Sequence, residues 1–132
     1  MTNQTTISRG RLWAGRIISG LPGLFLLVDG GMKLVKPPLV VEATVQLGYP
    51  ESVIVGLGIV LTVSTLLYLI PRTSILGAIL LTGYLGGAVA TNVRVSANWF
   101  NILFPVVLGA LLWGGLWLRE VRLQALIPLK EE

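Results

Sequence analysis

Residues 25 to 38, FLLVDGGMKLVKPP, place a carboxylate, Asp29, and an ammonium, Lys33, four residues apart inside an apolar run. On a helix this spacing puts both groups on one face with the acid N-terminal to the base, the favourable order for an ion pair. An isolated charge in hydrocarbon is costly, so two opposite charges at this spacing are expected to pair. Gly30 and Gly31 leave the backbone between them bare, with room for another helix or for a ligand headgroup. A second polar group follows in ATNVRVSANWFN, which supplies Thr91, Asn92, Arg94, Asn98 and Asn101, with Tyr84 two turns earlier. Asp29, Lys33, Tyr84, Asn92, Arg94 and Asn101 are therefore the candidate binding residues. Their chemistry is recognition by charge and hydrogen bonding, because they include no nucleophile paired with a base. No catalytic role is expected of the chain on its own.

Composition narrows the chemistry further. The 132 residues include no cysteine and no histidine. Disulfides, CxxC redox pairs and imidazole ligands for haem or zinc are thereby excluded. The two methionines are Met1 and Met32, which makes thioether ligation of a haem a poor expectation. Any redox role has to work through a bound organic molecule or a partner's cofactor. The formal charge is +4, yet the ten Lys and Arg residues are scattered around apolar blocks and form no basic stripe with interleaved aromatics. Nucleic acid is not an expected partner.

The elements that must position the polar residues are read from hydropathy. With 54% hydrophobic and 12% charged residues and a mean hydropathy of +0.82, the chain is matched to lipid. Four apolar blocks, at residues 13–34, 53–70, 75–93 and 100–118, approach the length of about 20 residues that a helix needs to cross hydrocarbon. Their continuous apolarity lacks the alternation of a barrel strand. The expected fold is all-α, one four-helix membrane domain over residues 1–132. Arg9, Arg11 and Arg16 mimic the basic start of a secretory signal. The block they precede is too long for one, contains Pro22 and Asp29, and lacks a small-residue cleavage site, so a retained first helix is expected.

Orientation follows from the basic residues around the blocks. Arg9, Arg11, Arg16, Arg72, Arg119, Arg122 and Lys130 fall on the side of the two termini, against Lys33, Lys36 and Arg94 on the other. Seven against three puts both termini in the cytoplasm and the polar cluster at the outer surface. Trp13, Trp99 and Trp117 lie near block ends, where an indole sits in the interface. Between the first two blocks, Pro37 and Pro38 are expected to open a short interfacial helix, with Leu39, Val40, Ala43 and Leu47 toward one face and Gly48 ending it. Small residues recur every four positions as Gly15, Ser19, Gly23 in the first block and Gly83, Gly87, Thr91 in the third. Close approach along small residues holds membrane helices together, and the simplest expectation packs the first block against the third.

Several segments resemble the DoxX-like family of small four-helix membrane proteins: DGGMKL, LGYP, LYLIPRTSILGAILLTGYLGGAVATNVR, and the closing LLWGGLWLRE with Pro105. The resemblance covers nearly the whole chain. It implies a multi-pass protein of the bacterial inner membrane, similar to components of membrane oxidoreductase assemblies, the wider family being named for a subunit of a quinone-linked oxidase. It carries over only to Lys33, Tyr84, Gly86, Gly87 and Arg94, without assigned roles. Asn92 stands where members often carry a histidine, so no imidazole role passes to this chain. The leading functional expectation is a non-catalytic subunit that binds a quinone or a lipid headgroup in the polar cluster, holds no covalent or metal cofactor, and associates with redox-complex subunits or with itself. The alternatives are a scaffold acting through helix contacts and a small proton-coupled exporter. Asp29, near a helix end and beside Lys33, fits the exporter poorly.

Overall fold

The computed structural model describes residues 7–130, and among these the regular secondary structure is helical throughout. The first helix, α1 (Arg9–Val35), starts four residues before the apolar block does because Ser8 accepts a hydrogen bond from the Arg11 N–H at 3.2 Å. α2 (Pro38–Gln46) has proline at its first position, where the missing N–H costs nothing. It ends before Gly48, whose φ of +98° is the left-handed geometry a side chain resists. α3 (Ile54–Leu69) and α4 (Ser74–Arg94) are each led in by a 3-10 turn, Glu51–Val53 and Pro71–Thr73. α5 (Trp99–Arg119) is capped by Asn98, whose side chain accepts the Asn101 N–H at 2.9 Å. A one-turn helix without sequence forewarning, α6 (Val121–Gln124), folds back so that Leu123 is buried.

Four of these helices, with their lead-in turns, are long and apolar enough to cross a membrane. They form a ring in the order α1, α3, α4, α5, each packing on its two neighbours. α1 and α4 thus lie across the diagonal, which corrects the expected pairing of the first and third blocks. The small residues on α1 serve its two neighbours instead. A Cβ on Gly115 of α5 would come within 2.8 Å of the Gly15 carbonyl oxygen, and one on Gly30 within 3.4 Å of the Gly58 carbonyl oxygen on α3. α3 and α4 approach as closely where Gly77 meets the Tyr68 backbone. These approaches supply the contact that lipid, as apolar as leucine, does not drive by itself. The core between them runs through Leu26, Leu61, Tyr68, Leu81, Leu112 and Leu116. The Tyr68 hydroxyl is satisfied there by the Leu112 carbonyl.

Among the described residues one buried side-chain polar atom is unsatisfied. Thr62 Oγ1, on α3 against Gly30, has no hydrogen-bond partner. Thr62→Val keeps the side-chain shape and removes the orphan, so it is expected to stabilise the bundle by about 1 kcal/mol, seen as a higher melting temperature in detergent. An unchanged or lower melting temperature would show that the hydroxyl contributes to packing as it stands.

Candidate functional site

The candidate site lies at the end of the bundle that carries α2. Asp29 and Lys33 pair as their spacing dictates, with Lys33 Nζ donating to Asp29 Oδ1 at 2.6 Å. Lys33 is held against α3 because Gly58 offers no side chain: a Cβ there would lie 2.9 Å from the lysine Cβ. The ammonium is therefore turned along the bundle rather than out into water, and the Lys33 side chain is only 15% exposed.

The pair lies on the wall of a cavity of about 390 Å3, within the range of small-molecule sites. α1 contributes Phe25, Leu26, Asp29 and Lys33, and α4 contributes Gly83, Tyr84, Gly87, Thr91 and Asn92. Phe104, Pro105 and Leu108 of α5 and Leu57 of α3 close the sides. The cavity occupies the diagonal between α1 and α4, and the glycines of α4 make it possible. Gly83 and Gly87 have nothing within 4 Å of where a Cβ would stand. These small residues are a cavity wall and not a packing seam, which revises the expectation for the third block.

Because α1 and α4 both run toward α2, register grades the wall. Phe25, Leu26, Leu85 and Leu108 lie deep, while Lys33, Thr91 and Asn92 lie about 9 Å or more nearer the α2 end at 1.5 Å per residue. Asp29 falls between, and Tyr84, one residue before Leu85, lies at the floor. A floor apolar but for Tyr84, beneath a polar rim, suits an amphipathic molecule with its head toward α2.

α2 and the loop after it form the roof. Thr44, Leu47 and Tyr49 line the cavity, and the buried face of α2 carries Thr44, with Val40 and Leu47 half-buried beside it. Leu39 is 76% exposed, so the face turned to the bundle runs through Val40, Thr44 and Leu47 and leaves Leu39 outside. Three contacts tie the roof down. The Tyr49 and Thr91 hydroxyls hydrogen-bond at 2.7 Å, Arg94 Nη2 donates to the Leu47 carbonyl at 3.0 Å, and Lys36 pairs with Glu51 at 3.5 Å.

Of the six sequence-derived candidates, Asp29, Lys33, Tyr84 and Asn92 meet on this one cavity. Asn92 is braced by its own helix, donating to the Ala88 carbonyl at 2.8 Å. Arg94 and Asn101 lie outside it: Arg94 is a roof tie, occupying the space beside Gly48, and Asn101 belongs to the exposed first turn of α5. Arg94 therefore does not pair with Asp29. Sequence reasoning missed Tyr49 and the aromatic wall of Phe25 and Phe104, whose rings meet edge to face at 5.4 Å. A tyrosine between Gly48 and Pro50 is the signal that was available for the first. Nothing in spacing marks the two phenylalanines, which come from opposite ends of the chain.

Comparison with known proteins adds one match. A family model for the DoxX-like family fits residues 17–115, which take in every residue of the cavity wall. No curated protein and no solved structure matches the chain.

Proposed function

The chain belongs to the DoxX-like family, and from that premise we propose that it is a non-catalytic subunit of a bacterial inner-membrane redox complex, binding the polar head of a quinone or a lipid in the cavity beneath α2. The observation that carries this reading is the graded cavity itself: about 390 Å3, largely apolar at its floor apart from Tyr84, with Asp29 midway and Lys33 and Asn92 toward its rim. An ion pair on the cavity wall offers a carbonyl or phosphate oxygen a donor in Lys33 and a hydroxyl an acceptor in Asp29. The excess of Lys and Arg on the side of the two ends supports an orientation with both termini in the cytoplasm.

Native mass spectrometry after gentle extraction from the source membrane tests the proposal. A stoichiometric quinone or lipid is expected on the wild type, with occupancy about tenfold lower in Asp29→Asn, the loss of one charge-assisted hydrogen bond. A wild type that carries no stoichiometric small molecule would overturn the reading. The scaffold alternative has its own support. Gly20, Gly31, Gly56, Gly86 and Gly114 have open space where a side chain would be, on helix faces that could receive other helices. A protein partner or a second copy in the same spectrum, with no small molecule, is its expected signature.

A further inference from the structure

The end of the bundle opposite α2 holds a second cavity, of about 710 Å3. Arg16 of α1, Arg72 before α4, Arg119 of α5 and Arg122 of α6 line it together with Ser74 and one carboxylate, Glu120. Four arginines separated by up to 106 positions in the sequence are thus brought to one concavity by the antiparallel helices. The ion pairs among the described residues are Asp29 with Lys33 and Lys36 with Glu51, so a carboxylate matches none of the four. Glu120 is occupied otherwise, accepting the Arg122 backbone N–H at 3.3 Å.

Two of the arginines are also oriented without being neutralised. Arg119 is half-buried, and its Nε and Nη2 donate to the uncharged Ser19 Oγ at 3.3 and 3.1 Å while the guanidinium lies 5.9 Å from the Tyr68 ring. Arg16 lies over the Trp13 ring at 5.2 Å. α4 begins at the same cavity. The hydroxyls of Thr73 and Ser74, which could cap it, instead donate to the carbonyls of Leu67, Tyr68 and Ile70. The positive end of that helix dipole is left without a side-chain cap beside the arginines.

We infer that this cavity binds a phosphate group. A guanidinium presents a planar fork that fits phosphate oxygens two at a time, and basic pockets between membrane helices are suited to anionic headgroups. Phosphate reaches such a place either on an anionic lipid or free in solution. The inference is separate from the cavity beneath α2. Arg16, Arg119 and Arg122 lie outside the residues that match the family model, so nothing about the match predicts this site.

The test uses the full chain in phosphatidylcholine nanodiscs, with and without a minor fraction of phosphatidylglycerol, and in phosphatidylcholine alone with added inorganic phosphate. Melting temperature and retained lipid in native mass spectrometry are read. A raised melting temperature with retained phosphatidylglycerol is expected. Arg72→Gln with Arg122→Gln should weaken retention about 25-fold, at about fivefold per arginine. Arg9→Gln with Arg11→Gln, which removes equal charge from the same end outside the cavity, should change it less than about twofold. Should the first pair of changes impair folding, Arg72→Gln alone carries the test with about a fivefold effect. Stabilisation by inorganic phosphate without phosphatidylglycerol would support the site with free phosphate as its source. No effect of either anion, or equal losses in the two double variants, overturns the inference.

Discussion

Gly115→Leu is expected to yield no folded bundle, while Gly87→Leu folds and empties the cavity beneath α2. The two glycines lie in apolar helices of equal length, 21 residues each, and differ only in what a side chain would meet. At Gly115 a Cβ would stand 2.7 Å from the Ser19 backbone nitrogen and 2.8 Å from the Gly15 carbonyl oxygen, and neither can move without separating α1 from α5. Overpacking of even a yielding core costs about 1–3 kcal/mol, and here the obstacle is main chain along the contact that anchors α1. At Gly87 nothing lies within 4 Å, so a leucine projects into the cavity and replaces glycine with a better helix former. Gel filtration and thermal melting should separate the two variants, and native mass spectrometry should show Gly87→Leu without the small molecule of the wild type. Equal damage from both substitutions would mean that α4 packs on a neighbour where the cavity is now placed.

Tyr49→Phe combined with Arg94→Ala should release the roof. Each substitution removes one tertiary hydrogen bond, Tyr49 to Thr91 at 2.7 Å and Arg94 to Leu47 at 3.0 Å. At about 1 kcal/mol each, amide hydrogen exchange in residues 38–47 should quicken about 30-fold. The remaining tie, Lys36 with Glu51, is partly exposed and worth little. The transmembrane helices should exchange as in the wild type, because neither side chain contributes to the core of the bundle. An unchanged rate in residues 38–47 would place the stability of α2 in its own packing through Thr44 and Leu47.

The four long helices and α2 were legible because hydropathy and proline act locally. An apolar block long enough to span lipid has few alternatives, and Pro38 starts a helix wherever it stands in that setting. The Asp29–Lys33 pair was legible for the same reason, both groups lying on one turn and a half of one helix. The pairing of helices was not. Gly83, Gly87 and Thr91 have the same spacing as Gly15, Ser19 and Gly23, and spacing alone does not tell a surface that receives a neighbour from one that bounds a void. The six candidate residues divided along the same line. Four come together because α1 and α4 face each other across the diagonal, whereas Arg94, one turn beyond the cavity, reaches over the rim to a carbonyl on the roof. The arginine cavity was least visible, its residues having been read only as a count of charges that sets orientation.

The wall made by Phe25 and Phe104 also bears on the route by which the proposed ligand would reach the cavity beneath α2. Phe25 lines the cavity and is 47% exposed on a helix long and apolar enough to cross a membrane, while the roof ties hold α2 over the other end. On the proposed reading, a molecule that enters past Phe25 would come out of the hydrocarbon phase. Its chance of entry then scales with its mole fraction in the membrane, so that diluting the protein with added lipid empties the cavity even when the amount of ligand in the sample is unchanged.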